Sequence, residues 1–285
     1  MKITILYSGG LDSTILYAYA KVNYPDAEIS CVWFHHGHSA AIQEEAVLPS
    51  FVKVRRMEWL QLSDVVGYTS KSENGQSEAS YIPGRNLVFA VLAACQDVPD
   101  EIWMGTLENE VHDYSVDRSA KFMEDTSKLL SYVLSPFKPN VKLRAPLAEA
   151  GFDKFKEIEW ALQNALTQDD IIATWSCYNL NHNVVNQVPC GDCAQCMRRK
   201  ILFGTLGFEE KYIQDPFLNK YTISWLRELF KQCALEGWTG EATTDLIGWF
   251  GTDERYLQFL INSNIDVEIS EYASQALKKL VNNNT

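Results

Sequence analysis

The residues best suited to chemistry fall in two places, and the first is near the start. Ser8-Gly9-Gly10-Leu11-Asp12-Ser13 stands between an apolar run, Ile3–Tyr7, and a segment of helical periodicity, Ser13–Asn23. Paired glycines reach backbone angles closed to other residues and let a ligand approach the main chain. The N–H groups that open a helix point at an anion, and the helix dipole strengthens the attraction. Ser8 and Ser13 add hydroxyl donors. We read Ser8, Gly9, Gly10, Leu11, Asp12 and Ser13 as a nucleotide phosphate loop, against the plainer alternative of a tight turn capped by Asp12. The Gly-Lys-Ser/Thr ending of a Walker loop is missing, and with it the lysine on the terminal phosphates.

The second place is Cys177, Cys190, Cys193 and Cys196. Two overlapping Cys-x-x-Cys turns bring three sulfurs near one point, and Cys177 returns as the fourth. Four soft ligands with no open position suit tetrahedral, structural Zn²⁺. A redox Cys-x-x-Cys would leave two cysteines without a role, and an iron–sulfur cluster takes the same ligand set. Arg198 and Arg199 stand where they would offset thiolate charge. Cys31, Cys95 and Cys233 sit among apolar neighbours and read as small core residues.

These groups need a frame. Ile3–Tyr7, Glu28–Phe34, Val52–Met57 and Glu101–Met104 read as strands, with helices over Ser13–Asn23, Ala40–Phe51 and Arg85–Ala94. Strands alternating with helices imply a mainly parallel α/β sheet covered on both faces, Rossmann-like, with ligands at the carboxyl ends of the strands. The loops after Tyr7, Phe34 and Met104 should then converge. Beyond Cys196 the pattern is helical: Thr222–Gly237, Asp245–Phe250, Glu254–Ile261 and Ser270–Val281. The organisation expected is a first domain over residues 1–208, including a cysteine segment at about 174–200, and an α-helical C-terminal region over 209–285.

Composition limits the partners. The chain has 285 residues, 46% hydrophobic, and Lys+Arg 25 against Asp+Glu 37 gives a formal charge of −12. One compact basic run, Arg198-Arg199-Lys200, is a poor match for a long nucleic acid, whose affinity rests on neutralised phosphates. No stretch approaches the roughly 20 apolar residues of a membrane helix. The N-terminus reads as a strand and not as a signal peptide, which points to a cytoplasmic protein with a small-molecule substrate.

The hexapeptide resembles the Ser-Gly-Gly-x-Asp-Ser signature of the PP-loop, or N-type, ATP pyrophosphatases. Thr174-Trp175-Ser176-Cys177-Tyr178, Cys190-Gly191-Asp192-Cys193-Ala194-Gln195-Cys196 and Arg198-Arg199-Lys200 are similar to the zinc region of 7-cyano-7-deazaguanine synthases, the QueC family. Tyr81-Ile82-Pro83-Gly84-Arg85-Asn86, Asp113-Tyr114-Ser115, and Pro146-Leu147 with Lys154 or Lys156 resemble further segments of that family. The resemblance covers about residues 1–208, in order.

What it implies is an ATP-dependent carbon–nitrogen ligase, forming AMP and pyrophosphate. It would adenylate the carboxylate of 7-carboxy-7-deazaguanine and pass it to ammonia, giving the amide and then the nitrile. Ser8, Asp12, Ser13 and Arg85 would be catalytic, with Asp12 helping to hold Mg²⁺. Tyr81, Arg85, Asn86, Asp113 and Asp117 would bind substrate, and the two aspartates would read a ring edge or hold a second Mg²⁺. ATP, Mg²⁺ and Zn²⁺ are the implied cofactors, and a homodimer is an implied assembly.

Departures lie on the substrate side. The stretch after Asp113-Tyr114-Ser115 shortens to Val116-Asp117-Arg118, and His36-Gly37-His38 replaces a Tyr-Gly-Gln segment. The helices past residue 208 exceed a usual synthase. They open a second reading, a defence-associated enzyme that transfers the activated deazaguanine to an amine of a partner protein. A third is a PP-loop enzyme that modifies tRNA.

Overall fold

The computed structural model describes residues 1–36, 41–56, 84–111, 116–177, 188–251 and 253–281. The chain forms two compact units, Met1–Phe152 with Glu159–Trp175, and Asp153–Ile158 with Ser176–Thr285. Residue 208, the boundary expected from the sequence, lies inside the second unit.

In the first unit β1 (Lys2–Leu6), β2 (Glu28–His35), β3 (Val52–Arg56), β4 (Glu101–Trp103) and β5 (Lys142–Arg144) form an all-parallel sheet in the order β3-β2-β1-β4-β5. Helices α1 (Leu11–Asn23), α2 (Ala41–Val47), α3 (Arg85–Asp97) and α4 (Ala120–Val133) lie among the strands in sequence. The short α5 (Pro146–Glu149) follows β5, then α6 (Lys154–Asn164), whose first turn is counted with the second unit, and α7 (Gln168–Ile172). Parallel strands need such crossovers, and both faces of the sheet are thereby buried. On one face Val32, Phe34, Ile102, Met104 and Leu143 meet Ala90, Ala93 and Ala94 of α3 and Met123 and Leu130 of α4. The three alanines let α3 lie close to the strands. Cys95, on the same helix, is exposed and not a core residue, whereas Cys31 and Cys233 are buried as expected. Burial raises the Cys31 thiol to about 12 and that of Cys233 to about 11.

The four anticipated strands form. Lys142–Arg144 carries only one apolar residue and was not legible as a fifth. The helix anticipated over Ala40–Phe51 stops at Val47, because Pro49 disfavours helix at the residue before it. Strand order reverses between β1 and β4, and a sheet of this kind leaves a ligand crevice at that switch point.

β5 is an edge strand whose outward backbone groups are met by serines of α4. Ser127 Oγ accepts the Leu143 N–H at 2.9 Å, and Ser131 Oγ accepts the Val141 N–H at 3.0 Å and donates to the Val141 carbonyl at 3.0 Å.

The second unit contains α8 (Ala194–Thr205), α9 (Lys220–Leu235), α10 (Glu241–Phe250), α11 (Arg255–Ser263) and α12 (Val267–Ala276), which runs on into a single π turn. Met197, Ile201, Phe203, Leu226, Phe230, Leu246, Phe250, Leu260 and Ile269 are buried. Asn219 caps α9 by accepting the N–H groups of Tyr221 and Thr222, and Asp266 caps α12 by accepting that of Ile269. The basic run is consumed inside this unit. The Arg198 guanidinium lies 5.3 Å from the Trp225 ring centroid and 3.4 Å from that of Trp249. Arg199 pairs with Glu210 at 2.8 Å and donates to Ser176 Oγ at 3.2 Å, and Lys200 stands 3.8 Å from Asp215.

Candidate active site

Ser8–Ser13 leaves the carboxyl end of β1 and enters α1. Gly9 has φ +77°, and a Cβ there would meet Val47 Cγ2 at 2.9 Å, so both conformation and space require glycine. Gly10 is the N-cap of α1 and supplies no capping side chain. The first N–H groups of the helix therefore keep their outward direction, as an anion needs. Asp12 is the second helical residue and not the cap. The loop is braced from within: Ser13 Oγ accepts the Ser8 N–H at 3.2 Å and donates to the Gly10 carbonyl at 3.1 Å, and the two serine hydroxyls are 3.3 Å apart.

Two supports went unrecognised in the sequence. The Trp175 N–H donates to the Gly9 carbonyl at 2.9 Å. Gly105, after β4, packs so close to α1 that a Cβ would lie 3.1 Å from Ser13 N and 3.2 Å from Asp12 Cβ. The available signal was a glycine directly after an apolar strand, at the ligand end of the sheet.

At the entry to α3, Gly84 adopts φ 74° and Arg85 opens the helix. Asn86 Nδ2 donates to the Asp117 carbonyl at 3.3 Å, so the structure brings together two residues 31 positions apart. Asp117 is 8% exposed. Arg118 pairs with Glu110 at 3.3 Å, and the other Glu110 oxygen accepts the Leu107 N–H at 3.1 Å. His36 is buried, its Nδ1 at 3.3 Å from the Phe34 carbonyl and its ring edge-on to Phe89. Tyr81, Asp113 and His38 lie outside the described residues. Lys154 and Lys156 pair within their own turn, with Glu157 at 3.5 Å and Asp153 at 3.4 Å.

In the second unit Cys177, Cys190, Cys193 and Cys196 converge, all four sulfurs within 4.8 Å of one another. Cys177 and Cys190 Sγ are 3.3 Å apart, and Cys190 and Cys196 Sγ 3.7 Å. Tetrahedral bonds of about 2.3 Å to one zinc would set sulfurs about 3.8 Å apart, so the donor set fits a four-thiolate metal. The Cys190 N–H donates to Cys177 Sγ and the Asp192 N–H to Cys190 Sγ, both at 3.4 Å, the support that thiolates need. Hydrogen bonds from Cys177, then Cys190 and Cys196, hold the Cys193 thiol well below the ordinary range. Gly191 has φ +78°, and a Cβ would stand 1.6 Å from the Gln214 carbonyl oxygen, leaving no alternative to glycine in the turn.

Residues 2–207 match the family model described as queuosine biosynthesis protein QueC. Among similar proteins, one from Methanocaldococcus jannaschii is 27% identical over 236 residues, covering 74% of this chain and 98% of its own. One from Methanococcus maripaludis is 27% identical over 248 residues, covering 78% and 100%. One from Sulfolobus acidocaldarius is 23% identical over 230 residues, covering 73% and 47%. All three carry the name 7-cyano-7-deazaguanine synthase. No helix among the described residues is long and apolar enough to cross a membrane.

Proposed function

The chain belongs to the QueC family, and from that premise we propose that it is an ATP-dependent carbon–nitrogen ligase acting on 7-carboxy-7-deazaguanine. The observation that carries the reading is the uncapped start of α1 beneath Gly9 and Gly10, at the switch point of the sheet. The first N–H groups of α1 and the Ser8 hydroxyl hold the leaving pyrophosphate of ATP, while the Ser13 hydroxyl, donated to the Gly10 carbonyl, keeps the loop in shape for it. A carboxylate oxygen of the substrate attacks the α-phosphorus, the bond to the β-phosphate oxygen breaks, and an acyl adenylate forms. A nitrogen nucleophile then adds to the acyl carbon, and AMP leaves with the bonding pair.

Asp12, on the first turn of α1, would hold Mg²⁺, which offsets charge on the departing pyrophosphate. Arg85 pairs with the substrate carboxylate, a use suited to its planar fork. Asn86 and Asp117 line the ring side, and Tyr81 and Asp113 are assigned there on the resemblance alone. The four cysteines would hold Zn²⁺, which closes the turn around Gly191 and supplies no open position for chemistry.

The test is incubation with ATP, 7-carboxy-7-deazaguanine and ammonium. Amide or nitrile, with AMP and pyrophosphate, is expected by mass spectrometry. An acid left intact with every amine donor tried would overturn the reading. The helices beyond the family match favour one variant of it, transfer to an amine of a protein partner. A mass increase on a co-encoded protein, without turnover of ammonium, would select that variant.

A further inference from the structure

We propose that Tyr7 is a positioning residue for the phosphate loop, its hydroxyl acting through Thr14 and the Gly10 carbonyl to aim and polarise the Leu11 N–H toward the pyrophosphate of ATP. The assignment rests on the proposed function, in which the loop holds that pyrophosphate. Three observations lead to it.

First, the hydrogen bonds run in one direction. Thr14 Oγ1 lies 2.9 Å from the Gly10 carbonyl oxygen and 2.9 Å from the Tyr7 hydroxyl. A carbonyl only accepts, so the single hydroxyl proton of Thr14 goes to Gly10 and the Tyr7 O–H donates to Thr14. Burial raises the pKa of the Tyr7 phenol above its ordinary value, so the proton that starts the relay stays in place.

Second, the relay ends on the peptide group that opens the helix. The Gly10 carbonyl accepts the Thr14 N–H at 3.1 Å, the Ser13 hydroxyl at 3.1 Å and the Thr14 hydroxyl at 2.9 Å. That carbonyl and the Leu11 N–H belong to one planar, trans peptide, so they point in opposite directions. Holding the oxygen therefore sets the aim of the N–H, and donors that draw on the oxygen make the N–H a stronger donor in turn. Leu11 is the first residue of α1 and Gly10 brings no capping side chain, so this N–H heads the group that faces an anion.

Third, Tyr7 is fixed. Its N–H donates to the Val32 carbonyl at 2.9 Å, and its ring stands edge-on to Tyr17 and Phe51, with centroids 6.5 and 5.9 Å away. The residue is 3% exposed. Hydroxyls bonded in sequence away from water strengthen one another, and a relay already ordered costs little when the ligand arrives.

The experiment titrates the full chain with inorganic pyrophosphate and Mg²⁺ by calorimetry, and follows the Leu11 amide by NMR in protein labelled with ¹⁵N-leucine. Tyr7→Phe keeps the ring and removes the hydroxyl; it should raise the Kd about 3- to 10-fold and move the Leu11 amide proton upfield. Tyr17→Phe removes a hydroxyl from the same aromatic cluster but not from the relay, and should stay within about 2-fold of wild type. Thr14→Ser keeps the hydroxyl and should do the same, whereas Thr14→Val should bind at least as weakly as Tyr7→Phe, and the two changes together no worse than Thr14→Val to within about 2-fold. The thermal transition confirms folding, and the comparison of Tyr7→Phe with Tyr17→Phe decides the matter even where Thr14→Val fails to fold. An unchanged Kd in Tyr7→Phe overturns the proposal, as does an equal loss in Tyr17→Phe, which would make the effect one of packing. A wild-type chain that gives no heat with pyrophosphate brings down the reading of the loop as well. Equal binding by wild type and Tyr7→Phe brings down only the role of Tyr7.

Discussion

At Gly105 a single methyl group would press on the first turn of α1, 3.1 Å from Ser13 N and 3.2 Å from Asp12 Cβ. The contact is with the backbone that presents the phosphate donors, and backbone gives way less readily than a flexible side chain. Gly105→Ala should therefore raise the KM for ATP about 10-fold or more by shifting those N–H groups, since misplacement of about 1 Å is enough for such a loss. Thermal stability should change little; steady-state kinetics beside a melting curve separates the two effects. Ser8–Ser13 was legible as a loop because its signal is local: two glycines, two hydroxyls and a helix start within six residues. Gly105 was not, because its partner is about ninety positions away and only the pairing of β1 with β4 brings them together.

Among the elements, β5 shows how a sheet edge is closed without another strand. Ser127 and Ser131, one helical turn apart on α4, meet the Leu143 and Val141 amides that an edge strand leaves open. Ser127→Ala or Ser131→Ala should each cost about 1–2 kcal/mol, the range for a partly buried amide left without its acceptor. Urea unfolding measures that loss, and faster hydrogen exchange at Leu143 or Val141 assigns it to the strand. An unaltered exchange rate would show that water replaces the serine at no cost. The strand was illegible for the same reason that the serines are needed: it is three residues long and Leu143 is its only apolar residue.

Taken whole, the chain places its cysteine cluster and its C-terminal helices in one unit, and α8 begins at the cysteines themselves, with Cys193 as its N-cap. A metal that closes that turn contributes directly to the folding of the helices after it. Treatment with a strong chelator should increase hydrogen exchange across α8–α12, and added Zn²⁺ should reverse it. Exchange unaffected by chelation would mean that packing alone, Arg198 between Trp225 and Trp249 included, holds these helices. By itself the sequence determined the alternation of strand and helix, the loop and the four-cysteine pattern, because each is written in neighbouring residues or in a fixed spacing. Only the tertiary structure decided that the basic run serves inside its own unit, that the extension folds with the cysteines, and that Asn86 anchors Asp117. Those outcomes depend on which surfaces meet when apolar area is buried. That choice rests on the summed packing of residues far apart in the chain, and no local pattern records it.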